Sequence, residues 1–333
     1  MFGKIIGTGS YVPKKKIVNK DLTKYLDTDD SWIRERTGVK SRHILDDNET
    51  TADMAVKAAE KALENSGLLP EGIDLIIVSS VSSNLVLPST ACFVQKKLNA
   101  GNAFCFDINV ACTGFITAYN ISQTFINTGL INTALIIGAE GLSKITDWSD
   151  RKTCILFGDG AGAVVIKKDK NALFETVMFS DGKMGDALTM ENFLALRKIN
   201  LGKDINEKMD ISLQDIQKTY INMDGGEIFK FAMKKVPECI DALLEKIHMG
   251  KDEIGKYVLH QANSRIIEGI SKRTKIPLEK IPLNIEDYGN VSSACIPMLL
   301  DKLNRLDQIR TGDKIIMAGF GAGLSYGATY LEF

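Results

Sequence analysis

Residues 73–81 read IDLIIVSSV, and within this run Leu75 to Val78 are all large and apolar. A sheet with one wet face would give strict alternation of apolar and polar residues. An unbroken Ile/Val/Leu run marks a strand covered on both faces. TALIIGAE (133–140), AGAVVIKK (161–168) and DKIIMAGFGAG (313–323) repeat the signature. Helical segments lie between these runs. ETTADMAVKAAEKALENSGL, starting at Glu49, sets Ala, Val and Leu at helical spacing and stops at Gly67. The alternation predicts an α/β protein with covered sheets.

The pattern occurs twice. IDLIIVSSV is followed by a helix, FDINVACTGF (106–115), a second helix and TALIIGAE. KYVLHQA (256–262) is followed by a helix, NIEDYGNVSSA (284–294), a second helix and DKIIMAGFGAG. Val78 and Cys112 stand about as far apart as Leu259 and Ser292, so matched order and spacing indicate an internal duplication. Residues 1–170 are expected to form one half and 223–333 the other, with 171–222 a polar excursion. The halves are expected to pack as layered sheets with helices between and outside them.

Composition narrows the function classes. The chain has 333 residues, 41 Lys plus Arg against 42 Asp plus Glu, and a net charge of -1. This balance argues against a dedicated nucleic-acid binder. None of the six cysteines forms a Cys-x-x-Cys pair, so they read as reduced thiols rather than a zinc ribbon or a redox motif. MFGKIIGTGSYVPKKK at the start has no apolar core of a secretory signal, and no apolar run is long enough to span a bilayer. A cytoplasmic protein that uses no membrane is expected.

Three segments carry chemistry. Cys112 lies where a buried strand runs into the helix GFITAYNISQTFI. A thiol at a helix N-terminus meets free N–H groups and the positive end of the dipole, which favour the attacking thiolate. A buried structural cysteine remains the competing reading. His260 closes the apolar strand YVLH, either as a packed core histidine or, given the polar Gln261 and Asn263 after it, at the mouth of a cleft. Ligands gather at the carboxyl ends of such strands. Asn290 in DYGNVSSA reads as a turn residue or helix cap. Alternatively, it pairs with His260 to give one thioester oxygen two hydrogen bonds, the support a carbanion needs. The glycine-rich GFGAGLSYG (319–327) lacks the helix of a dinucleotide fingerprint and fits a tight turn beside such a site.

At these residues the sequence resembles the β-ketoacyl-acyl-carrier-protein synthase III family. The motifs run in order from KIIGTGSYVP (4–13) through DTDDSWIRERTGV, LPSTAC, VACTGF, DRKTCILFGDGAGA, HQAN and YGNVSSA to FGAGLSYG. The resemblance implies the αβαβα thiolase fold, a homodimer and no resident cofactor, acyl-coenzyme A being a substrate. It implies that Cys112 takes an acyl group from acyl-coenzyme A. His260 and Asn290 then assist decarboxylation of malonyl-acyl-carrier-protein, whose carbanion attacks the acyl-cysteine. The oxyanion hole would use the backbone N–H groups of Cys112 and Ala322, where most members carry glycine at the latter.

By the same resemblance, Trp32 and Arg151 sandwich the adenine of coenzyme A and Arg36 meets its phosphates. Thr28 touches the nucleotide end, Asn263 the pantetheine, and Phe229 lines the pantetheine tunnel. Leu87, Leu142 and Phe320 are expected around the acyl pocket, with Leu87 reaching in from the partner subunit. Lys230, Arg265, Lys272 and Arg273 are expected to greet the acidic carrier protein. The chain departs from the family over Asp186 to Asn222, which is long for the segment, and at Gly226, where some members carry Asn. Two other readings share the cysteine: a specialised synthase with a different acceptor, and a Cys112/His260 hydrolase, which must admit water where a condensing enzyme excludes it.

Overall fold

A computed structural model describes residues 1–196 and 212–333. The first half supplies β1 (Phe2–Tyr11), the small pair β2 (Lys15–Val18) and β3 (Ser41–Ile44), β4 (Leu75–Ser79), β5 (Phe104–Ile108), β6 (Thr133–Gly141) and β7 (Asp159–Asp169). The second supplies β8 (Phe174–Ser180), the short β9 (Leu188–Thr189) and β10 (Asn222–Met223), β11 (Lys256–Leu259), β12 (Lys314–Gly321) and β13 (Ser325–Glu332). One main sheet runs β1-β7-β6-β4-β5 and the other β8-β13-β12-β11. Strands β4 and β6 pair in parallel, as do β11 and β12; the remaining pairs that match between the sheets are antiparallel. The two sheets therefore share order and direction, as a duplication requires.

Each buried strand divides its side chains by the two-residue period of the pleat. Leu75 and Ile77 face inward, onto the helices Gly114–Asn127 and Cys295–Arg305, in a core shared with Val258, Ile315 and Met317 of the second half. Ile76 and Val78 face the other way, onto the helices Thr51–Ser66 and Thr90–Leu98. On the second sheet Ile316 and Ala318 point outward to Gly225–Lys246 and Ser264–Thr274. The result is five layers, αβαβα, with the two central helices buried between the sheets. Helix Thr51–Ser66 opens with a Thr50/Asp53 capping box and ends at Gly67 with φ +66°, the stop its sequence announces.

Two expectations need correction. Phe174–Ser180, placed by its sequence in the polar excursion, is the edge strand β8 and pairs with β13 over its whole length. Its sequence, FETVMFS, is neither an unbroken apolar run nor a strict alternation, and the strand is only partly covered, as suits an edge. The counterpart of Cys112 is Ser293, one residue beyond the expected Ser292. Ala111 (φ +44°) and Ser292 (φ +45°) start equivalent 3-10 turns that enter the two central helices. With that pairing the spacing is identical in the two halves, Cys112 lying 34 residues after Val78 and Ser293 34 residues after Leu259, although the single turn Ile285–Tyr288 stands where the first half has β5.

Candidate active site

Cys112 sits in the turn Ala111–Thr113 at the entrance to a central helix, with only 8% of its surface exposed. The GFGAG turn passes directly against it. A Cβ at Gly321 would lie 2.8 Å from the Cys112 amide nitrogen and 3.0 Å from its Cβ, so only glycine permits this approach. Burial pushes the thiol up to about 12. Desolvation thus opposes the thiolate that the helix terminus favours.

His260 leaves the end of β11, its backbone N–H donating to Ala318 O at 2.8 Å. Its ring lies edge-on to Phe320, with centroids 5.5 Å apart, and Nδ1 is buried without a partner. Burial draws the imidazole down to about 3, so it is neutral at physiological pH. Asn290 is fixed by its backbone, which bonds to Leu156 O at 2.9 Å and Gly158 N at 3.0 Å. Its Oδ1 accepts the Ser292 N–H at 2.8 Å. That acceptor role decides the amide orientation and leaves the NH2 group as the donor available to the cavity.

Cys112, His260 and Asn290 line one cavity of about 100 Å³, together with Phe229, Asn263 and Phe320. On its other side Cys112 borders a second cavity of about 380 Å³, lined by Val81, Leu142, Ile145, Leu188, Met190 and Ile221, among others, with Ala322 at the cysteine. The nucleophile candidate thus stands between two chambers. Phe320 belongs to the chamber with His260 rather than to the one with Leu142, because alternation along β12 turns its ring onto the imidazole. Leu87 enters neither chamber of its own chain and is 85% exposed. Leu188, which borders both chambers, and Met190, which borders the larger, come from the long segment that departs from the family, and the β9–β10 pairing sets Leu188 beside Met223 of the smaller chamber; residues 197–211 of that segment lie outside the described residues.

At the outer mouth, the Arg151 guanidinium stacks 4.9 Å and that of Arg36 5.6 Å from the Trp32 ring centre. Arg151 also donates to Asp27 O. The expected adenine site is therefore closed on itself here, and a base entering it must displace Arg151 from the indole. Thr28 Oγ1 nearby is buried and unpartnered. Asn263 caps the helix Ser264–Thr274 through Arg265 N and donates to Arg36 O at 2.9 Å, so it joins the tunnel wall to the Trp32 helix. Arg265, Lys272 and Arg273 are exposed on that helix. Arg265 and Lys272, seven residues apart, share a side, whereas Arg273 turns about 80° away. Lys230 is 75% exposed and ion-paired with Glu227 at 2.7 Å, which offsets its charge toward a distant acidic partner.

Sequence reasoning passed over Glu140 and Ser293, which lie behind the site, and the Leu188–Met190 wall. The signal for Glu140 was present, since a carboxylate closes the otherwise apolar run TALIIGAE. Neither Leu188 nor Met190 carries any such mark.

A duplicated αβαβα fold with a buried cysteine between two chambers, and an imidazole and a carboxamide on one side, defines a thiolase-like condensing protein. Residues 106–182 match the model of 3-oxoacyl-(acyl-carrier-protein) synthase III, and residues 244–333 match that of its C-terminal part. Two β-ketoacyl-(acyl-carrier-protein) synthases III are similar over 99% of this chain and 98% of their own: that of Clostridium acetobutylicum at 44% identity and one of Clostridium perfringens at 46%. The crystal structure of the Aquifex aeolicus 3-oxoacyl-(acyl-carrier-protein) synthase III superposes with a TM-score of 0.90 at 40% identity, over 99% of this chain and 100% of that one. The chain belongs to the 3-oxoacyl-(acyl-carrier-protein) synthase III family.

Proposed function

We propose that the protein catalyses the condensation that initiates fatty acid synthesis. It joins a short acyl group from acyl-coenzyme A to malonyl-acyl-carrier-protein and releases 3-oxoacyl-acyl-carrier-protein, carbon dioxide and coenzyme A. The observation that carries this reading is the placement of Cys112 between an apolar chamber and a chamber holding only neutral donors. A hydrolase needs a general base to take a proton from water. Burial draws His260 down to about 3, its Nδ1 has no acceptor to orient or strengthen it, and Asn290 presents an amide.

In the first half-reaction the Cys112 sulfur attacks the thioester carbonyl. The Cys112 and Ala322 N–H groups receive the developing oxyanion, and coenzyme A leaves with the thiol proton. The acyl chain then lies along Leu142, Ile145 and Ile221. In the second, the malonyl thioester oxygen takes hydrogen bonds from His260 and Asn290. Loss of carbon dioxide leaves an enolate held by these two donors, and its carbon attacks the acyl-cysteine carbonyl. The C–S bond breaks, and the sulfur recovers a proton. A neutral imidazole suits this role because it donates a hydrogen bond without quenching the carbanion by ready proton transfer. Acyl-coenzyme A is a substrate in this reading, and none of these steps uses a resident cofactor.

Trp32, Arg36, Arg151, Thr28, Asn263 and Phe229 form the proposed coenzyme A path, and Arg265 with Lys272 the face offered to the carrier protein. A homodimer is supported by two exposed apolar features: Phe104 on the edge strand β5, and the run Leu85–Leu87. Edges and patches of this kind call for a cover. The proposal places the reaction in the cytoplasm, where both substrates are made. No helix among the described residues is long and apolar enough to cross a membrane. Single-turnover assays that follow acyl loading and condensation separately test the reading; loading followed by hydrolysis alone contradicts it.

A further inference from the structure

Strand register gives the active site a sealed twin. Val78 pairs with Ile137 as Leu259 pairs with Ala318, so Ser79 corresponds to His260 and Glu140 to Gly321, while Ser293 corresponds to Cys112. The three twin residues are in contact. Ser293 Oγ lies 3.0 Å from Ser79 O and 2.9 Å from Glu140 Oε1. Glu140 is fully buried, and all of its hydrogen-bond partners are uncharged.

Proton counting gives this cluster a consistent neutral state. Glu140 Oε2 receives three donors: Val81 N–H at 3.1 Å, Ser82 Oγ at 2.6 Å and Ser80 Oγ at 3.3 Å. Oε1 meets Ser293 Oγ, and the buried Ser292 Oγ also lies close to the carboxyl. A serine hydroxyl carries a single hydrogen. If Ser293 gives it to Ser79 O, the 2.9 Å contact with Oε1 needs a proton on Oε1. A buried carboxylate without a cation would also be costly, and burial raises the Glu140 carboxyl above the usual range. The same turn carries Asn290, three residues before Ser293, and Gly138 of β6 packs against the Ser293 backbone.

We propose that Glu140 is a positioning residue of the condensation site: as a neutral acid it donates from Oε1 to Ser293 and so fixes the 290–293 turn from which Asn290 acts. The role rests on the proposed condensation. A neutral acid also places no negative charge behind Cys112, whereas an ionised one would oppose any thiolate there.

The test combines infrared spectroscopy with half-reaction kinetics. The difference spectrum of wild type minus Glu140→Gln at neutral pH shows the C=O stretch of a protonated carboxylic acid. Glu140→Ala loses condensation by roughly 10- to 100-fold, the scale set by a small misplacement of a catalytic group. It keeps more of its acyl loading than of its condensation. Ser293→Ala shifts the ratio of the two in the same direction, and Glu140→Gln, which can donate from Nε2 and accept at Oε1, rescues most of the loss. Carboxylate bands in place of the acid band, equal loss of both half-reactions in Glu140→Ala, or wild-type condensation in that variant would overturn the proposal. Should Glu140→Ala not fold, the difference spectrum and Ser293→Ala decide it. A wild-type enzyme that never condenses refutes the proposed function instead, and the infrared result stands independently of it.

Discussion

Cys112, His260 and Asn290 show how burial and local bonding set chemistry at the level of single groups. His260 is held neutral by desolvation, so protonation favours the unfolded chain. Its pKa is 6.5 in the open chain and about 3 in the fold. Below pH 6.5 the unfolded state binds the extra proton, and stability falls with pH until about pH 3. Denaturant titrations should show this loss in the wild type and a smaller one in His260→Gln; equal slopes would remove His260 as its source. In kinetics, His260→Ala and Asn290→Ala are expected to lose condensation by roughly 10²-fold, the scale of one electrostatic or proton-transfer contribution. Both should still load acyl groups in a single turnover. Gly321→Ala is expected to do the reverse, impairing loading first, because its methyl group meets the Cys112 backbone at 2.8 Å. Rapid-quench measurement of acyl-enzyme formation checks both claims.

Among the elements, the doubly covered strands were legible because an unbroken Ile/Val/Leu run of four to five residues is too short for a helix and too apolar for a wet face. Gly67 and Thr50 marked helix ends through the backbone chemistry of the left-handed stop and the capping box. The gathering of Cys112, His260 and Asn290 at one cavity was legible because each closes or opens a strand or turn. The edge strand β8 was not, since FETVMFS shows neither the unbroken apolar run of a doubly covered strand nor a strict alternation. Ser293 rather than Ser292 repeats from Leu259 the spacing of Val78 and Cys112, so an approximate match of spacings missed it by one residue. The wall formed by Leu188 and Met190 depends on the β9–β10 pairing, which joins residues 33 or more positions apart and leaves no local pattern. This wall should set primer choice. Met190→Trp is expected to reduce use of branched four-carbon primers relative to acetyl by about 10- to 200-fold, the value of one methylene fitted or excluded. Specificity constants unchanged by the substitution would move the boundary of the acyl chamber elsewhere.

For the whole molecule, the proposed function assigns partners to two surfaces. Leu87 stands exposed and reaches neither chamber of its own chain, so its influence on the acyl pocket requires a second copy. Leu87→Phe is expected to shift preference toward acetyl in the dimer; an unchanged preference ratio would exclude Leu87 from the pocket. Arg265 and Lys272 share one side of the helix behind Asn263. Arg265→Glu should weaken use of the carrier protein far more at low salt than at high salt, because screening shortens the reach of exposed charge to roughly 10 Å at 0.1 M. Loading from acyl-coenzyme A should change little; an equal fall in loading would assign this face to coenzyme A.

The claim on which all of this depends is that Cys112 carries the acyl group between two half-reactions. Intact-protein mass spectrometry with peptide mapping, after exposure to acyl-coenzyme A and then to malonyl-acyl-carrier-protein, tests it directly. The expected result is one acyl adduct on the peptide containing Cys112, stable in water, absent in Cys112→Ala, and discharged into 3-oxoacyl-acyl-carrier-protein when the second substrate is added. An adduct on another cysteine, or one lost to water at the same rate with and without the malonyl substrate, would contradict it.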